Sequence, residues 1–98
     1  MLYRNALGEV LRETRTEQRR TLRWVSQQAR IALGYLSEVE RGQKEISSEL
    51  LDSVATALST KTYELAIQAG YKMALYDDFE ISYQSVIKNA YERQLSQV

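Results

Sequence analysis

The sequence predicts an all-α fold, a set of five helices followed by one additional helix at the carboxyl end. Three observations predict it. Apolar residues recur at three- and four-residue steps through most of the chain, the period of a helix with one buried face. Proline is absent from the 98 residues, so no run is broken from within. No segment supports a strand or a wing.

The first helix is expected near Ala6 to Arg19, with Leu7, Val10, Leu11 and Thr14 inward. Residues 21–42, TLRWVSQQARIALGYLSEVERG, then hold two short helices. Thr21 is a good N-cap, and Leu22, Val25, Ser26 and Ala29 form one narrow apolar face. A break at Arg30-Ile31-Ala32 follows. The next helix turns Ile31, Leu36 and Val39 toward the same core and stops at Gly42, a residue suited to the left-handed position after a helix. Small residues at Ser26 and Ala29 let the two helices cross closely and steeply. Residues 22–41 therefore read as a helix-turn-helix, which presents its second helix to the DNA major groove. On spacing alone, an ordinary helical hairpin stays open. Gln43 to Ser48 is a loop, and Ser47 or Ser48 caps a fourth helix ending at Leu58. After a turn at Ser59 to Thr62, a fifth helix runs from Tyr63 to Tyr76, interrupted or thinned at Gly70. Asp77-x-x-Glu80 has the form of a capping box opening the last helix, through about Gln97.

Composition narrows the function. Cysteine and histidine are both absent, which removes disulfides, thiolate metal sites and the commonest general base. No phosphate loop, nucleophile elbow or carboxylate pair is present, so no enzyme, cofactor or metal site is expected. No run is long enough to span a membrane and no leader is visible, which points to the cytoplasm. The formal net charge is zero but unevenly placed. Residues 1–44 hold nine Lys/Arg against five acids, and eight of the nine are arginine. The rest of the chain is correspondingly acidic. An anion would bind the first half, and arginine is the better bidentate phosphate partner.

The pattern Leu36-Ser37-x-x-Glu40-x-Gly42, with Ala29 seven residues before Leu36 and Leu50-Leu51-x-x-Val54-Ala55-x-x-Leu58 downstream, resembles the Cro/CI-type (XRE) family of phage repressors and bacterial regulators. The resemblance covers about residues 5–67, which implies a DNA-binding domain there and an extension over 68–98. It also implies a buried ion pair, with Arg15 in the place of the family's first-helix arginine and Glu40 its partner. The run Gly34 to Glu45, GYLSEVERGQKE, is similar to a subgroup of actinobacterial activators of Clp protease genes. That similarity implies a dimeric transcription activator whose abundance Clp proteolysis limits, with RNA polymerase and the Clp protease as further partners. One departure stands out. Ala32 occupies the place where a capping serine or threonine commonly opens the recognition helix.

By the same resemblance, Leu33, Gly34 and Glu38 fall where side chains meet base edges. Glu38 can accept from cytosine N4, while Leu33 offers apolar contact to a thymine methyl. Tyr35 and Ser37 flank this face, and Arg41, Gln43 and Lys44 follow the helix; all five are candidates for the DNA backbone. Gln28 and Arg30 are weaker candidates beside the turn. Trp24 is expected at the surface.

The carboxyl-terminal extension carries Phe79, Tyr83, Ile87, Tyr91 and Leu95 at helical spacing, after a second apolar surface that includes Tyr71 and Tyr76. Either this stripe packs within its own chain, or it forms a homodimer interface. The dimer fits a palindromic operator, which needs a two-fold protein. Two other readings compete with a dimeric regulator: the antitoxin, or autorepressor, of a toxin–antitoxin pair, and a protein-interaction module that keeps the fold without binding DNA.

Overall fold

The computed structural model describes residues 1–77 and 82–96. It contains six helices: α1 (Tyr3–Glu17), α2 (Leu22–Ala29), α3 (Leu33–Glu40), α4 (Ser48–Ala57), α5 (Thr62–Asp77) and α6 (Tyr83–Ser96). Among the described residues there is no strand.

Local chemistry accounts for the helix starts. The Thr21 hydroxyl accepts from the Trp24 N–H at 3.0 Å and caps α2. Ser47, not Ser48, caps α4, accepting from the Leu50 N–H at 3.2 Å. Ala32 precedes α3 in an extended conformation with no side-chain cap, so this start depends on backbone and tertiary contacts. The last helix does not open on a capping box at Asp77. Asp77 is the final residue of α5, and α6 opens from Ser82, whose hydroxyl accepts from the Ser85 N–H at 3.1 Å. Glu80 lies outside the described residues.

Helix ends share one device. Arg19, Arg30, Gly42 and Ser59 follow α1 to α4 with φ of 57, 57, 73 and 55°. In each case the next N–H reaches back five residues: Arg20 to Arg15, Ile31 to Ser26, Gln43 to Glu38 and Thr60 to Ala55, at 2.9–3.0 Å. This left-handed stop satisfies carbonyls the helix itself leaves open. Only Gly42 announces it by residue type.

The core is drawn from α1 to α5. Leu11, Leu36, Leu58, Leu65, Val10, Val25, Val39 and Val54 are its largest fully buried side chains. Helix α1 packs against α5 and α3, while α2 packs against α4 and α3. Ser26 is buried, its hydroxyl donating to the Arg23 carbonyl, so it fits between helices without an unmet polar group. Helix α5 is unbroken at Gly70, contrary to the expected thinning, because nothing nearby demands a bend there. It also continues the core beyond residue 67, with Ala69 fully buried and Met73 packed on the cluster. Lys72 fastens α5 to α1, its ammonium 2.6 Å from Glu13 and 3.5 Å from Glu9. The hydrogen bond to Glu13 is the main cause that holds the Lys72 pKa above its usual value. Helix α6 packs on α5 and contributes no buried residue.

Candidate nucleic-acid interface

The position of α3 is set by one face of α1, formed by residues 4, 8 and 15. Nearest the carboxyl end of α1, Arg15 Nε donates to Glu40 Oε2 at 2.8 Å and Nη2 donates to Oε1 at 2.9 Å. Nη1 donates to the Arg20 carbonyl at 3.0 Å. The two side chains are only 14 and 7% exposed, so this bidentate pair is largely buried. The hydrogen bond to Glu40 raises the Arg15 pKa further. One turn pair below, Gly8 lets the backbones touch. A Cβ there would sit 2.5 and 2.6 Å from the carbonyl oxygens of Val39 and Glu40. Near the start of α1, Arg4 Nε donates to the Gly42 carbonyl at 3.2 Å. Gly42 in turn faces Asn5 so closely that a Cβ would collide with its side chain.

So fixed, α3 turns Leu36 and Val39 into the core and leaves the opposite face open. Gly34 is exposed with nothing within 4 Å of where a Cβ would be, and Leu33 beside it is half-buried. The Glu38 side chain is 38% exposed and lies 3.6 Å from Lys44 Nζ. Tyr35, beside this face, is half-buried. Its hydroxyl donates to the Glu45 carbonyl at 2.7 Å, which ties α3 to the loop after it.

Ser37 and Arg41 line a cleft of about 270 Å³ together with Arg12, Leu22 and the Arg15–Glu40 pair. Among the described residues neither Arg12 nor Arg41 forms an ion pair, so both cations face solvent there. Arg12 was legible only as one more charge of the basic half; its spacing of three from Arg15 is the signal that places it at this cleft. Gln43 and Lys44 are exposed in the loop after α3. Gln28 and Arg30 are not gathered with them. They border a groove against Asp52, Ser53 and Thr56 of α4. Trp24, expected at the surface, is instead half-buried against the core, with the Arg20 guanidinium 4.0 Å from its ring centroid.

At the other end, the Tyr71 and Tyr83 rings meet edge to face at 5.2 Å, so these two expected interface residues pack on each other within the chain. Tyr76, Ile87, Tyr91 and Leu95 remain 70, 39, 61 and 55% exposed. Phe79 lies outside the described residues.

Five packed helices, an α2–α3 pair whose second helix is tied to α1 by Arg15–Glu40, and an open outer face on α3 define a helix-turn-helix domain of the Cro/CI type. No protein-family profile matches the chain. It is 55% identical over 73 residues to the transcriptional regulator ClgR of Mycobacterium tuberculosis, a match that covers 74% of this chain and 65% of that protein. The crystal structure of the clp gene regulator ClgR from Corynebacterium glutamicum superposes with a TM-score of 0.77 at 46% identity, covering 82% of this chain and 85% of that one. The restriction-modification controller protein C.AhdI from Aeromonas hydrophila shares the fold at a TM-score of 0.62 and 31% identity, over 63% of this chain and 94% of its own. The chain belongs to the ClgR family of transcriptional regulators. No helix among the described residues is long and apolar enough to cross a membrane.

Proposed function

We propose that this chain is a sequence-specific DNA-binding activator of Clp protease genes. It acts in the cytoplasm as a homodimer on a palindromic operator, with RNA polymerase as partner and the Clp protease limiting its abundance. The observation that carries the reading is the placement of α3, whose open face holds Leu33, Gly34 and Glu38 while Arg15 and Gly8 fix its other side. In this reading α3 enters the major groove, and Glu38 accepts from a cytosine while Leu33 packs on a thymine methyl. Arg41 and Ser37, with Gln43 and Lys44 in the adjacent loop, hold the sugar–phosphate backbone. Gln28 and Arg30 reach a more distant phosphate along α2. The relatives named as clp gene regulators support the choice of target genes.

Genome-wide mapping of the sites bound by the full chain tests the target, with enrichment upstream of Clp protease genes expected. A salt titration of binding tests the mode. Arg41→Ala should weaken binding to every duplex alike and lower the salt slope by about one unit. Sites scattered without a shared sequence, or affinity indifferent to salt, would refute the proposal.

A further inference from the structure

We infer that Lys44 is a specificity residue, holding the Glu38 carboxylate in its base-reading position and offsetting its charge. This rests on the proposal that α3 reads DNA through Glu38. A carboxylate on a recognition helix enters the strongly negative field of two phosphate backbones and loses water as it does so. Such a group needs a cation close by. Lys44 Nζ stands 3.6 Å from Glu38 Oε2 with both side chains partly exposed, so the pair adds little to the stability of the free protein. Its effect arises on DNA, where water is excluded and the same pairing strengthens.

The loop that carries Lys44 is braced for this purpose. Gly42 turns the chain with φ of 73°, and the Gln43 N–H bonds back to the Glu38 carbonyl at 2.9 Å. Tyr35, one turn before Glu38, donates its hydroxyl proton to the Glu45 carbonyl just past Lys44. Arg4 of α1 grips the same loop twice, through the Gly42 carbonyl at 3.2 Å and the Glu45 carboxylate at 3.6 Å. Lys44 thus stands between two tethered residues, with α3 on one side and α1 on the other. A lysine needed only as a mobile phosphate contact requires none of these tethers.

Selection of bound sequences from a randomised double-stranded DNA pool by the full chain tests the inference. Glu38→Gln should relax the preference at one base pair per half-site by about tenfold. Lys44→Met should relax that same base pair by at least about threefold and leave the other positions alone, and Lys44→Arg should restore it. The Glu38→Gln/Lys44→Met double variant should be no worse at that base pair than Glu38→Gln, since the two residues act as one unit. All four proteins should melt within a degree or so of the parent, because exposed pairs carry little stability. If Lys44→Met lowers affinity for every duplex equally and leaves the selected profile intact, Lys44 is a backbone contact alone and the inference is wrong. If Glu38→Gln also leaves the profile intact, the base-reading role of Glu38 fails and the inference falls with it.

Discussion

Arg15 on α1 holds both carboxylate oxygens of Glu40 at the last turn of α3, joining residues 25 apart in sequence at a largely buried site on the floor of the Arg12–Arg41 cleft. A buried charge pair of this kind adds little net stability over apolar residues of the same shape, but losing one partner is expensive. Its structural effect is to fix where the recognition helix ends relative to α1.

Glu40→Ala should therefore destabilise the domain by about 3 kcal/mol, the low end of the range for a stranded buried charge, because Arg15 keeps the Arg20 carbonyl as an acceptor. Urea unfolding of the variant gives the number directly. A midpoint equal to the parent's would show that the pair contributes no such constraint.

The two helix-interior glycines of α1 and α5 should respond in opposite directions. Gly8→Ala gains roughly 1 kcal/mol of helix propensity but drives a methyl group into two carbonyl oxygens of α3, and should lose roughly 1–3 kcal/mol net. Gly70→Ala meets nothing within 4 Å and should stabilise by roughly 0.5–1 kcal/mol. Equal effects of the same sign at the two positions would contradict the α1–α3 contact described above.

Stability should fall at alkaline pH in a way that depends on Lys72 and Tyr3. Lys72 has a folded pKa above its ordinary 10.5, so its contribution is complete below that value and is lost as pH rises through the folded pKa. Burial also raises the Tyr3 pKa above 10.0, and its ionisation in the unfolded chain favours unfolding over the same range. Lys72→Met should flatten the decline between pH 10 and the folded pKa, and adding Tyr3→Phe should flatten it further. Thermal melts across that interval that retain the parent's slope would show that neither group matters.

Much of the frame was legible in the sequence because it depends on local chemistry. Thr21 and Ser47 cap helices through their own hydroxyls, and the spacing of Val25, Ala29, Leu36 and Val39 follows a helical period into one core. Gly8 was invisible for the opposite reason, since its role comes from carbonyls more than 30 residues away. Asp77 looked like a helix start by composition, but α5 simply runs into it, and Ser82 supplies the cap. The Tyr35 hydroxyl bond to the Glu45 carbonyl was equally invisible, because no pattern marks a partner ten residues on.

The exposed stripe on α6 carries the quaternary prediction. Ile87, Tyr91 and Leu95 are apolar surface on a helix with no buried residue of its own, and a second copy would cover them. The full chain should sediment as a dimer at tens of micromolar. The 1–76 fragment should remain folded as a monomer, because the core lies in α1 to α5. Its affinity for an operator with half-sites ~34 Å apart should collapse, since the two halves are no longer joined. A monomeric full chain would leave the stripe without this role.

The left-handed helix stops have a consequence for how this protein can adapt. Arg19 and Arg30 sit in a conformation that costs a residue with a side chain about 1 kcal/mol relative to glycine. Glycine at either position should raise stability, as it relieves strain without touching the core. Each such step also deletes a cation from the arginine-rich half, thinning the field that draws a polyanion to it. At these two turns, relief of backbone strain and retention of positive charge pull in opposite directions.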